Sequence, residues 1–177
     1  MSNYSILLVD DEEIIRKTIS VDLSEEGYDV TSAGSGEEAI KKLREYNYDM
    51  VITDLNMDGI NGVQVLEKVK KMNPETVVMI FTSHSDLSPA INALRLGVDD
   101  YMLKSTITEE LHLRVKHCLE KLELRRQIEK RSDEVQDVIF QLESEVEKRR
   151  LVEKELVKNR KHLIEKNEEL KTLSIRD

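Results

Sequence analysis

Five short apolar runs, "YSILLVD", "YDVTSA", "DMVITD", "TVVMIFTS" and "DYMLK", alternate with stretches of helical period, and this alternation limits the folds open to the chain more than any other feature. Four of the five are too continuously apolar to have a wet face, and strands buried on both faces belong to parallel sheets. Between the runs lie Glu12 to Glu26, Gly36 to Tyr46, Val63 to Met72 and Leu87 to Leu96, each long enough for a crossover helix. Gly27 and Gly97 stand where helix ends commonly need a left-handed residue. Five repeats of strand then helix predict an α/β fold, a five-stranded parallel doubly wound sandwich.

The pattern changes after Ser105. From Thr106 onward there is no strand signal, no glycine and no proline, so a helical pattern runs unbroken to about Leu173. At about 1.5 Å per residue such a helix is roughly 100 Å long, too long to pack intramolecularly along its whole length. Ile128, Val135, Leu142, Leu156, Leu163 and Leu170 share one seven-residue register, which Arg149 interrupts. Ile139 and Val146 flank that column upstream, whereas Val152, Asn159 and Leu173 flank it downstream on the other side. This pattern predicts a coiled coil with a phase shift near "EKRR", residues 147 to 150, favouring a parallel homodimer, with an antiparallel assembly as the alternative arrangement because Arg149 and the phase shift weaken the two-stranded pattern. A solvated charged helix is the alternative, but it leaves a six-member apolar column uncovered. The expected domains are therefore residues 1–124 and a helical extension, 125–177, continuous with the last helix of the first.

Composition agrees with an α/β domain plus exposed helix: 36% of the 177 residues are charged, 4% are aromatic and there is no tryptophan. The net charge of −9 is uneven, with 23 acids against 13 Lys or Arg in residues 1–124 and 12 against 13 in residues 125–171. So acidic a first domain argues against a nucleic-acid surface there. No apolar leader follows a basic start and no run of 18 apolar residues occurs, which predicts neither signal peptide nor membrane span. A lone Cys118 has no internal disulfide partner and fits a reducing compartment, so the expected location is the cytoplasm.

Two metal chemistries compete for "MVITDLNMDGING", residues 50 to 62. Asp54, Asn56, Asp58 and Gly59 match the first half of a calcium loop, but the twelfth position, which needs a bidentate Glu, is Val65, and the preceding segment is a strand. In a parallel sheet, ligands bind beyond the carboxyl ends of the strands. The first strand ends in Asp10 and Asp11, the third in Asp54, the fourth in Thr82 and the fifth in Lys104. Three carboxylates, a hydroxyl and an ammonium thus converge on one edge, a donor set suited to Mg²⁺ and to phosphoryl transfer, which needs positioning and charge neutralisation. Taken singly, each has a blander reading: Asp11 as a helix cap, Thr82 as a structural hydroxyl, Lys104 as a solvated charge. His84, His112, His117 and His162 form no metal spacing with Cys118, and His162 lacks the acidic neighbour of a phosphohistidine.

"ILLVDDEE", "MVITDLNMDGINGV", "MIFTS" and "DDYMLKS", in this order and spacing, resemble the receiver domain of bacterial two-component response regulators over about residues 1 to 124. The resemblance implies the flavodoxin-like, five-stranded receiver sandwich and a phosphorylation-controlled signalling switch. It implies Asp54 as phosphoacceptor, Asp10 and Asp11 as the acidic pair for Mg²⁺ and Asn56 as a backbone carbonyl ligand. Thr82 and Lys104 match phosphate-contacting positions and Tyr101 the aromatic switch, with a sensor histidine kinase as donor. Catalysis would be limited to the protein's own phosphoryl transfer and dephosphorylation.

Two positions depart from the receiver pattern. Asp58 stands where proline is usual, adding negative charge near the metal and loosening the turn. Ser105 replaces the proline after the lysine; since a non-proline cis bond costs about 3 kcal/mol, the Lys104–Ser105 bond is expected to be trans, with Lys104 reaching Asp54 from an altered loop. A haloacid-dehalogenase-type phosphatase would want an acid two residues after Asp54, where Asn56 stands. A constitutive structural dimerisation module is the other rival. Finally, "NEELKTLSIRD" resembles the lead-in helix of a diguanylate cyclase domain, which makes the regulatory part of a longer regulator a further alternative.

Overall fold

The computed structural model describes the backbone of residues 4–83, 87–104 and 108–173, and the side chains of all these except 87–89, 108, 109 and 169–173. Five strands, β1 (Ser5–Val9), β2 (Asp29–Ala33), β3 (Met50–Thr53), β4 (Val77–Thr82) and β5 (Asp100–Leu103), alternate with helices α1 (Glu13–Glu25), α2 (Gly36–Glu45), α3 (Gly62–Met72), α4 (Leu87–Arg95) and α5 (Thr108–Leu173). All strand pairs are parallel, in the order β2-β1-β3-β4-β5.

Alternation along each strand divides the core into two layers, because successive side chains leave a strand on opposite faces. Ile6 and Leu8 of β1 join Met50, Ile52, Met79 and Phe81 in a cluster closed by Ile19 and Leu23 of α1 and by Leu111, Val115, Leu119 and Leu122 of α5. Leu7 and Val9 face the other way, packing with Val51, Val78 and Ile80 against Ala39 of α2, Val65, Leu66 and Val69 of α3, and Ala93 of α4. β2 and β5 are the edge strands, and only Ala33 of β2 and Met102 of β5 are fully buried, which explains the more polar run of β2.

This order puts the reversal of connection direction at the β1/β3 pair, where doubly wound sheets open a crevice beyond the strand ends. Val9 lies beside Thr53, so the next residues, Asp10 and Asp54, emerge side by side; the Asp54 N–H donates to the Val9 carbonyl at 2.8 Å. After Asp54 the chain turns into α3 through an Asn61/Gln64 capping box, with bonds of 3.0 and 3.1 Å. Gly62 opens that helix, and a Cβ there would collide with the Asp54 carbonyl oxygen.

By contact the chain divides into two compact units, Met1–Arg125 and Arg126–Asp177. Of the second unit, the described part is helix to Leu173. Its apolar side chains Ile128, Val135, Ile139, Leu142, Val146, Leu156 and Leu163 are each at least half exposed. The Lys104–Ser105 peptide, the Leu170 side chain and the tail after residue 173 lie outside the described residues.

The tight seat of Gly62 sets an expectation. Gly62→Ala should lower stability by about 2 to 3 kcal/mol in urea denaturation, because the clash is with backbone that cannot rotate away. Gly27→Ala, at φ +92° but with open space around it, should cost only the left-handed strain of about 1 to 2 kcal/mol.

Candidate functional site

Strand ends and one loop bring the charges together. Lys104 follows β5, its backbone N–H donating to the Thr82 carbonyl at 2.8 Å. From there Lys104 Nζ lies 2.8 Å from Asp10 Oδ2, 2.8 Å from Asp54 Oδ2 and 3.2 Å from Glu12 Oε1. The ammonium and both aspartates are deeply buried, with the Lys104 side chain 6% exposed. Asp54 Oδ1 also receives the Asn56 N–H at 3.3 Å, and Asp10 Oδ1 the Glu12 N–H at 2.9 Å.

Burial raises the Asp10 carboxyl above the usual aspartate range, against the hydrogen bonds and charge of Lys104 and the Glu12 N–H. Burial also works against the Lys104 charge, but hydrogen bonds and charges from Asp10 and Asp54 outweigh it and hold the ammonium well above the ordinary lysine value. Three carboxyl groups thus share one ammonium, an excess of acid that an incoming cation can balance.

The structure brings together Asp10, Asp54 and Lys104. One carboxylate oxygen each from Asp10, Glu12 and Asp54 lies within 4.8 Å of the others. Asp11 is outside that cluster and exposed, nor does it cap α1, whose N-cap is Glu12. Thr82 is fully buried at the end of β4, and Tyr101 is half-buried on β5, against the layer that holds α2, α3 and α4. Asn56 is exposed in the loop after Asp54. Asp58 is exposed too and has no part in the carboxylate cluster among the described residues, so its negative charge does not join the buried group. Val65, the twelfth position of the calcium pattern, is fully buried in α3, and the loop is preceded by β3, which disposes of the helix-loop-helix reading.

Glu12 is the member that sequence reasoning missed, since it reads as an ordinary first-turn acid. Arg16 also escaped notice; its guanidinium donates to the Asp10 carbonyl at 2.5 Å, buttressing the turn out of β1. Cys118 is buried away from the site, and burial pushes its thiol up to about 11, so it is inert at neutral pH.

A parallel, doubly wound sheet with buried aspartates at the switch point and a lysine closing over them defines the receiver class of signalling domains. The response regulator receiver domain family matches residues 6–116, and the chain belongs to that family. It is 36% identical over 123 residues to the probable transcriptional regulator ycf27 of Porphyridium aerugineum, covering 70% of this chain and 51% of that protein. It is 33% identical over 122 residues to the alkaline phosphatase synthesis transcriptional regulatory protein PhoP of Bacillus subtilis, covering 69% and 51%. The chain thus spans about half the length of these relatives. A CheY-like receiver domain from Methanospirillum hungatei superposes with a TM-score of 0.68 at 27% identity, over 70% of this chain and 99% of that one.

Mg²⁺, which receiver domains bind at an acidic pocket, fits this donor set. All the ligating atoms on offer are hard oxygens, and one carboxylate oxygen each from Asp10, Glu12 and Asp54 lies close enough to the others to share an ion.

Removing the ammonium has a predictable sign. Lys104→Met deletes the interactions that lower the Asp10 pKa and leaves burial to raise it further above the unfolded value. The folded state then binds the extra proton, so the variant gains stability as pH falls and loses it as pH rises through the raised pKa. Denaturation between about pH 4 and pH 8 should show a deficit against wild type that grows with pH to about 3 kcal/mol.

Proposed function

We propose that this chain is a phosphorylation-controlled switch in which Asp54 accepts a phosphoryl group from a sensor histidine kinase and the change passes to a dimeric coiled coil. The observation that carries this reading is the Asp54 carboxylate at the switch point, with the Lys104 ammonium 2.8 Å from its Oδ2. Asp54 attacks the donor's phosphorus in line, as carboxylates can, forming an acyl phosphate while the P–N bond to the donor histidine breaks. Lys104 exchanges its ion pair with Asp54 for the new phosphoryl oxygens, whose charge it neutralises. Asp10, Asp11, Asp54 and the Asn56 carbonyl would hold Mg²⁺, which supplies further positive charge to the phosphoryl oxygens. Thr82 and Tyr101 serve as the switch pair, reading the phosphoryl group from the end of β4 and from β5.

The half-exposed apolar column of Ile128, Val135, Ile139, Leu142, Val146, Leu156 and Leu163, continued in sequence by Leu170, supports a parallel homodimer. Burying such side chains is worth about 1.5 to 3 kcal/mol each, and a polar seam residue such as Asn159 favours one register. No helix among the described residues is long and apolar enough to cross a membrane. The protein is taken to work in the cytoplasm, without binding nucleic acid through this chain.

Incubating the full chain with acetyl phosphate and Mg²⁺ should add one phosphoryl mass; Asp54→Asn should abolish it, and unchanged labelling in that variant would sink the assignment. Asp11→Ala should weaken Mg²⁺ binding far more than Asp22→Ala, measured by titration calorimetry. Changing both Leu142 and Leu156 to Lys should turn a dimer into a monomer by sedimentation at tens of micromolar. If fluoroberyllate alters neither size nor shape of the wild-type protein in solution, a constitutive dimeriser is the better description.

A further inference from the structure

We propose that Glu12 is a positioning residue of the phosphoryl-transfer site, its carboxylate alternating between the Lys104 ammonium and a bound divalent cation. This role rests on Asp54 being the phosphoacceptor. Glu12 is the N-cap of α1, with φ −75° and ψ 101°, where a side chain commonly accepts a bond from the first turn of its own helix. Glu12 makes no such bond. Its Oε1 reaches instead to Lys104 Nζ, 3.2 Å away and 92 residues distant in sequence. The neighbouring Glu13 shows what an uncommitted acid does at this helix end: it pairs with Lys17 one turn on, at 2.5 Å, on the exposed surface.

The carboxylates at the site differ in freedom. Asp10 and Asp54 are fixed by burial, with side chains 1% and 7% exposed, whereas Glu12 is 56% exposed and has one more side-chain torsion than an aspartate. One oxygen from each lies within 4.8 Å of the other two. Ligand oxygens around Mg²⁺ at about 2.1 Å stand roughly 3 to 4 Å apart, so a modest swing of the exposed Glu12 side chain brings it within reach of an ion held by Asp10 and Asp54.

Lys104 cannot serve a phosphoryl group while three acids share it. The contact that yields at least cost is the exposed one, because water replaces it, and a cation that draws Glu12 away also releases Lys104. Glu12 therefore couples cation entry to the freeing of the lysine.

The test uses the full chain and Mn²⁺ alone, with free ion followed by electron paramagnetic resonance. Glu12→Gln should weaken Mn²⁺ binding by about tenfold, and Glu12→Asp, which keeps the charge on a shorter arm, should recover part of it. Glu13→Gln should bind as wild type. Mn²⁺ affinity unchanged by Glu12→Gln, or lowered equally by Glu13→Gln through bulk charge, overturns the role. Acetyl-phosphate labelling of wild type and Asp54→Asn in parallel separates this failure from that of the phosphoacceptor reading: if only Asp54→Asn loses the label and Glu12→Gln binds Mn²⁺ normally, the switch stands and the Glu12 role falls.

Discussion

A single ammonium ties three separate stretches of the sheet edge to one another. Lys104 comes from the end of β5, Asp10 from β1 and Asp54 from β3, and both aspartate contacts are 2.8 Å long. None of the three groups is stable alone at such depth, since a buried unpaired charge costs several kcal/mol. Together they hold their separate strand ends in one geometry. Because the acids outnumber the lysine, the arrangement is poised to take up positive charge, and any ligand that brings or removes charge here acts on three strands at once.

Precision at that site comes from the loop after β3. Gly62 lets α3 start directly against the Asp54 carbonyl, and its own N–H bonds the Leu55 carbonyl at 3.0 Å. Next to it the Asn61/Gln64 box fixes the helix entry, while Glu37 of α2 accepts the Ile60 N–H at 3.0 Å. These bonds clamp a stretch that carries Asp58 where the receiver pattern has proline; the turn is held by its neighbours instead of by a restricted backbone. Preorganising a reactive carboxylate this way lowers the cost of orienting it during transfer.

Beyond residue 125 the physics is of another kind. That unit has no buried side chain among those described, so its apolar column is exposed, which is the observation behind the proposed homodimer. The curated relatives share about half their length with this chain.

Much of this was written in local pattern. The continuous apolar runs announced buried parallel strands, and a parallel sheet obliges whatever follows each strand to gather at one edge; that is why Asp10, Asp54, Thr82 and Lys104 were legible before any coordinates. The long helix was legible too, from the absence of any glycine or proline after Ser105. Other features depended on three-dimensional distance. Whether Lys104 reaches Asp54 without the usual proline beside it turned on the backbone bond to Thr82, a contact 22 residues away in sequence. That a Glu12 oxygen lies within 4.8 Å of those of Asp10 and Asp54, while Asp11 is exposed, turned on where α1 begins, with Glu12 at the N-cap. Sequence places a residue at a strand end because the apolar run stops there and parallel strands all end on one edge; only the folded chain decides the direction of a side chain at a turn, because that depends on backbone angles set by packing elsewhere.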